Sequence, residues 1–203
     1  MIAIVDYGLG NLTSVSSACL KLGFDAVVTH ELGKLDDAEK LILPGVGAFG
    51  DGMRLLRERD LIEPLTRMVQ AGKPFLGICL GFELIAKTSE EFGFFEGLGW
   101  VEADVRRLSP TDPSLRVPHV GWNALRQRRS SVLFRDVPDN ALFYFVHSYC
   151  LQTYEEELPL GTCDYGGPFV AAIEQGNIYG TQFHPEKSQR HGLTMLRNFL
   201  ELG

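Results

Sequence analysis

Phe75-Leu-Gly-Ile-Cys-Leu-Gly-Phe-Glu-Leu-Ile-Ala-Lys87 decides how the rest of the chain is read. Its first four residues are a short apolar run of the buried-strand kind. Phe82–Lys87 has helical texture, and the two are joined through Gly77-Ile-Cys-Leu-Gly81. Working outward, the same alternation recurs. Ile2–Val5 predicts a strand, then a Gly-rich turn and a helix over Leu12–Leu22. Ala26–Thr29 and Leu41–Leu43 predict two more strands. Leu55–Val69 is helical in period, broken or kinked at Pro64. Strand, helix, strand at this spacing predicts a parallel sheet covered on both faces.

Beyond Lys87 the texture changes. Val101–Leu108, Trp122–Arg126, Leu142–His147, Val170–Glu174 and Ile178–Phe183 predict short strands, with Gly176-Asn177 the clearest hairpin turn. Leu193, Leu196, Phe199 and Leu200 mark a closing helix. Thr111–Leu115 and Tyr154–Leu158 are the expected exposed loops. No repeat or linker interrupts the chain. One α/β domain over residues 1–203 is expected, with a mixed, mostly parallel sheet flanked by helices and an antiparallel β extension in the second half.

Composition narrows the function. The net charge of −7 gives no reason to seek nucleic acid through bulk charge. No apolar run approaches the ~20 residues that span a bilayer. Met1–Asp6 carries neither a basic region nor a cleavage site, so no export signal is expected and a reducing cytoplasm is the expected setting. Cys19, Cys79, Cys150 and Cys163 are then expected as thiols. They form no C-x-x-C pair and the five histidines do not stand at ligand spacing, so no metal is expected.

Three segments can carry chemistry. A nucleophile on a sharp strand-to-helix turn is pushed out of the sheet, while the residues two before and two after are squeezed together. Gly77 and Gly81 flank Cys79 in that way. The Leu80 amide could then donate to an oxyanion, and the helix end would favour the thiolate. A small buried cysteine between packing glycines would explain the motif equally. His184-Pro-Glu186 puts a carboxylate two residues from an imidazole; in an extended segment both would face one way, as a base and its orienter require. A strand-end histidine beside a solvated glutamate is the plain alternative. Gly45-x-Gly47-x-x-Gly50 matches the dinucleotide fingerprint formally, but its acidic partner position is Glu63, inside a helical stretch and followed by Pro64. A Gly-rich loop lining a pocket, or a plain tight turn, fits better.

Together these segments resemble the class I (triad-type) glutamine amidotransferases. More narrowly, the chain is similar to the glutaminase subunits of imidazole glycerol phosphate synthases, from histidine biosynthesis. The elbow and His184-Pro-Glu186 are shared by the whole class. More specific blocks are Asp6-Tyr-Gly-Leu-Gly-Asn11, Pro44–Asp51, Val117-Pro-His-Val-Gly-Trp-Asn123, Tyr144-Phe-Val-His-Ser-Tyr149, Asp164-Tyr-Gly-Gly167 and Gly180–Ser188. They run in the expected order over essentially the whole chain.

The resemblance implies a cofactor-free hydrolysis of glutamine. Cys79 attacks the side-chain amide, His184 moves protons, Glu186 orients His184, and water resolves the thioester. Gly45, Val46, Gly47 and Leu80 match positions around the oxyanion. Glu83, Glu91, Ser148 and Tyr149 match positions at the amino-acid end of the substrate. Asn11, Trp122, Tyr144 and Lys187 match an interface with a (β/α)₈ barrel cyclase, the other half of a heterodimer, which receives the ammonia. It turns a phosphoribulosyl-formimino-carboxamide nucleotide into imidazole glycerol phosphate and an aminoimidazole carboxamide ribotide. For Trp122 and Tyr144 a place in the core is the alternative. One departure stands out: after the elbow the family usually has Met-Gln, and here stands Phe82-Glu83. A glutamate there would pair with the substrate ammonium and repel its carboxylate. Two rivals remain: the same chemistry feeding a sugar-modifying partner, and a non-catalytic regulator of amidotransferase shape.

Overall fold

The structure is a computed structural model and describes residues 1–202. In the first half it contains β1 (Ile2–Val5), α1 (Leu12–Lys21), β2 (Ala26–Thr29), α2 (Leu32–Asp37), β3 (Lys40–Gly45), α3 (Phe49–Glu58), α4 (Ile62–Gln70), β4 (Phe75–Cys79) and α5 (Leu80–Glu83). Then follow β5 (Thr88–Ser89), β6 (Phe95–Glu96), β7 (Ala103–Arg107), β8 (His119–Gln127), β9 (Ala141–His147), β10 (Tyr149–Thr153), β11 (Pro159–Asp164), β12 (Pro168–Gln175), β13 (Ile178–Thr181) and α6 (Gln189–Leu200).

Five parallel strands, β2-β1-β3-β4-β13, form the centre. The sheet continues antiparallel through β12, β10 and β7 to the small strands β5 and β6, and β11 carries the ribbon β8–β9 off its edge. The mixed sheet is as expected, but its antiparallel part is the larger: among the described residues the parallel pairings are these four and β5–β7, and the seven others are antiparallel.

Continuous apolar runs in the central strands reflect burial on both faces. Ile2, Ile4, Ile42, Leu76 and Ile78 point to one side, where α1, α6 and the inner face of the β8–β9 ribbon pack. Ala3, Val5, Leu41, Leu43 and Phe75 point to the other, covered by α2, α3 and α4.

Two helix expectations need correction. Instead of one helix kinked at Pro64, α3 already begins at Phe49 and ends in a left-handed cap. Asp60 has φ +54°, its N–H reaches the Arg57 carbonyl at 3.0 Å, and the buried Leu61 returns to the Leu56 carbonyl at 3.0 Å. Pro64 falls in the first turn of α4, where its missing N–H costs nothing. The helix expected over Phe82–Lys87 is the single turn α5. The carbonyls of Leu84, Ile85 and Ala86 are taken by the N–H groups of Leu98, Trp100 and Gly99 at 2.8–3.0 Å, so no helix propagates. The hairpin turn falls at Gly176-Asn177 as expected, with Gly176 at φ +60°. The strands β10 and β11 have no counterpart among the sequence expectations.

Candidate active site

β4 and β13 lie side by side in parallel, Ile78 opposite Thr181, so Cys79 and the segment Gln182–Glu186 leave the sheet at one edge. Cys79 has φ +54° and ψ −112°, a strained backbone for a residue with a Cβ. The flanking glycines permit the turn. A Cβ on Gly77 would lie 2.6 Å from the Gly81 carbonyl oxygen, and one on Gly81 would strike the Leu43 carbonyl.

The Cys79 thiol is 7% exposed and donates to the Val146 carbonyl at 3.9 Å. Burial, reinforced by Glu83 and Glu186, pushes its pKa well above the ordinary thiol value; the Leu80 N–H and Lys187 pull the other way. The expectation that the helix end favours the thiolate is thereby corrected. A helix of one turn has little dipole to offer, and desolvation outweighs it.

His184 and Glu186 are both buried, with Nδ1 2.9 Å from Oε1. The contact is as expected, though its local cause is different. Only His184 is extended; Pro185–Lys187 form a 3₁₀ turn with proline at its first position, which brings the carboxylate back under the ring. A carboxylate only accepts, so Nδ1 carries the proton and Nε2 of the neutral ring is a lone pair. That Nε2 is buried and has no protein partner. The segment hangs on β9: the His184 N–H donates to the Tyr144 carbonyl at 3.0 Å, two residues from the carbonyl that holds the thiol.

A cavity of about 280 Å³ opens at this edge, lined by Val46, Gly47, Cys79, Leu80, Glu83, Glu91, Pro118, Val146, His147, Ser148 and Tyr149. Seven of the eight residues matched to the substrate site line it. Gly45 does not: it pairs with Cys79 across β3–β4, and a Cβ there would come within 2.8 Å of Leu80 Cβ and Gly81 N. Its task is to let the elbow pack. Gly47, at φ +110°, supplies the loop conformation that other residues avoid. A larger open groove of about 800 Å³ runs past Arg128, Arg129 and Glu155–Glu157, but no nucleophile lines it.

Two carboxyls face the cavity. Glu91 accepts from the Phe49 N–H at 2.7 Å, capping α3 with one oxygen. Glu83 is fully enclosed and accepts from Gln182 Nε2 at 2.7 Å; burial, with Glu91 adding to it, pushes its pKa up to about 8. Nearby Tyr7, raised by burial and by Cys79 and Glu83, has an unpartnered hydroxyl.

The residues matched to a partner surface are split. Trp122 and Tyr144 are register partners on the outer face of the β8–β9 ribbon, rings 6.0 Å apart, and Lys187 Nζ stands 5.9 Å over the Tyr144 ring. Trp122 is 44% exposed, with Val120 and Leu142 exposed beside it, so a place in the core is ruled out for it. Asn11 caps α1, its Oδ1 accepting from the Ser14 N–H at 3.4 Å. Sequence reasoning gave no role to His119 and His147, a buried pair of which His147 lines the cavity. Their alternation on the inner ribbon face was the available signal.

The fold and the elbow define an α/β amidotransferase, and the family model for glutamine amidotransferase class I matches residues 3–202. The chain belongs to that family. It is 48% identical to "Imidazole glycerol phosphate synthase subunit HisH 2" of Nitrobacter winogradskyi over 98% of this chain and 97% of that one. It is 47% identical to "Imidazole glycerol phosphate synthase subunit HisH" of Moorella thermoacetica, covering 99% and 94%. Among solved structures, PurLQS from Thermotoga maritima superposes with a TM-score of 0.76 at 19% identity, over 98% of this chain and 96% of that one.

Proposed function

We propose that residues 1–203 are one glutamine amidotransferase domain, the glutaminase subunit of an imidazole glycerol phosphate synthase. The observation that carries this reading is the identity of nearly half over almost the full length of curated synthase subunits, in a chain whose elbow thiol lines a cavity and whose buried His184–Glu186 pair leaves the sheet at the same edge. The rival in another pathway and the non-catalytic regulator lack any such support.

In this reading glutamine enters with its side-chain amide at Cys79. Because the resting thiol is protonated, the free Nε2 of His184 takes its proton as the sulfur attacks, and Glu186 stabilises the imidazolium. The Leu80 N–H and the Val46–Gly47 peptide receive the oxyanion. His184 returns the proton to the departing nitrogen, releasing ammonia. Water, deprotonated by the same imidazole, then cleaves the thioester to give glutamate. The exposed apolar face of the β8–β9 ribbon, with Trp122, Tyr144 and Lys187, docks the (β/α)₈ barrel cyclase. Ammonia passes between the subunits without reaching bulk water, where it would mostly be protonated. A reducing cytoplasm is the proposed setting; no helix among the described residues is long and apolar enough to cross a membrane.

A glutamate-release assay with and without the cyclase and its nucleotide, beside Cys79→Ala, tests this. Release that depends on Cys79 and rises with the cyclase is expected. Release that survives Cys79→Ala removes the mechanism, and indifference to the cyclase removes the partner.

A further inference from the structure

Two buried imidazoles next to the proposed triad have no task in the chemistry above. His119 opens β8, His147 closes β9, and they face each other directly in the ribbon register. His119 Nδ1 is 3.0 Å from His147 Nε2, and His147 Nδ1 is 2.7 Å from the Tyr149 carbonyl oxygen. A carbonyl only accepts, so His147 carries its proton on Nδ1. Its Nε2 is then a lone pair, and His119 must donate from Nδ1. The two bonds fix both tautomers.

The surroundings keep the rings uncharged. Phe145 and Tyr165 stack on His119, at 5.0 and 4.0 Å between centroids, and Phe169 lies 5.0 Å from His147. The titratable groups facing the pair are His184, whose charge would oppose one on His147, and Tyr165, whose hydroxyl donates to the Arg116 carbonyl. Neither ring has an acidic partner among the described residues. Burial pushes His119 down to about 4 and His147 to about 3.

The acceptor of this relay gives it meaning. Ser148 and Tyr149 line the cavity where the chain crosses from the ribbon into the main sheet. The Leu108 N–H binds the Ser148 carbonyl at 2.9 Å, and His147 binds the next carbonyl along. We infer that the His119–His147 pair is a positioning device that locks the Ser148–Tyr149 turn in the shape that receives the amino-acid end of the substrate. This rests on the glutaminase reading above.

Steady-state glutaminase kinetics of the chain with its cyclase test it. His119→Phe keeps the ring volume but cannot donate. His119→Asn can place an amide N–H where Nδ1 stood. With His119→Phe the KM for glutamine should rise about tenfold with kcat within about threefold, the loss of one buried hydrogen bond. His119→Asn should recover most of that. An unchanged KM in His119→Phe overturns the inference, and so does an equal impairment of both variants. Should the variants not fold, the imidazole ¹⁵N spectrum of the wild type at pH 7 decides. Two neutral Nδ1–H rings support the inference, while an Nε2–H tautomer or an imidazolium on either ring overturns it. A wild-type complex that releases no glutamate at all would strike the glutaminase reading first, and this inference with it.

Discussion

The main chain of Tyr144 is stitched to that of His184. The Tyr144 carbonyl accepts from the His184 N–H at 3.0 Å, and the Tyr144 N–H donates to Ser188 Oγ at 2.9 Å, which itself donates to the His184 carbonyl at 2.6 Å. Val146, two residues further, holds the Cys79 thiol. One strand therefore carries the exposed Leu142 and the half-buried Tyr144 on its outer face and the backbone supports of both the imidazole and the sulfur. A few hydrogen bonds link that outer face to Cys79 and His184.

Trp122 provides the first check. An exposed tryptophan at the centre of an apolar patch is a typical anchor, and its truncation costs on the order of 2 kcal/mol in binding. Trp122→Ala should weaken cyclase binding roughly thirtyfold by titration calorimetry, with the melting temperature of the isolated chain nearly unchanged. Undiminished binding would move the docking face elsewhere.

In the proposed mechanism Glu186 acts only through His184, which it contacts at 2.9 Å. In Glu186→Gln the carboxamide no longer balances a positive ring, and kcat should fall by at least about a hundredfold while KM stays within a few-fold. A change confined to KM would show that Glu186 serves substrate binding.

Glu83 is mostly protonated at pH 7, since its pKa is raised to about 8. Pairing with the substrate ammonium requires the carboxylate, so the KM for glutamine should fall as pH rises from 7 to 8.5. In Glu83→Gln it should be higher and flat across that range. A large fall in KM with kcat held would mean that Glu83 weakens binding.

Acid should unfold the chain through the histidine pair. Both folded-state pKa values are depressed, so the unfolded chain binds more protons between pH 6.5 and 4, and stability falls as pH falls through that window. His119 alone accounts for about 3 kcal/mol by pH 4, and His119→Phe should remove that share of the slope in denaturant titrations. An unaltered slope would contradict the assigned burial.

Gly81 has no room for a side chain. Gly81→Ala forces its methyl into the Leu43 carbonyl, so the elbow must move or the parallel sheet must part. A loss of at least about 3 kcal/mol in urea unfolding is expected. Near-wild-type stability would show that the elbow is looser than described.

Much of this was legible along the chain. Strands buried on both faces are continuous apolar runs, and the turn at Cys79 demands glycine on either side; such signals are local. Helix limits were less so. The chain breaks at Asp60 rather than Pro64 because a left-handed cap satisfies the helix end there, and α5 stops early because a returning segment takes its carbonyls. His184 and Glu186 were paired correctly, yet by a tight turn instead of an extended one.

The sequence by itself determined the identities that make this chemistry available: one thiol between two glycines, one imidazole two residues from a carboxylate, and an acid where relatives of this kind usually carry an amide. Tertiary structure decided what those groups are. Cys79 and His184, 105 residues apart, come to one edge of the sheet only because β4 and β13 are neighbours in it. The raised thiol, the mostly protonated Glu83 and the uncharged histidine pair are products of enclosure. Desolvation sums over every atom that surrounds a group, and most of those atoms belong to distant parts of the chain.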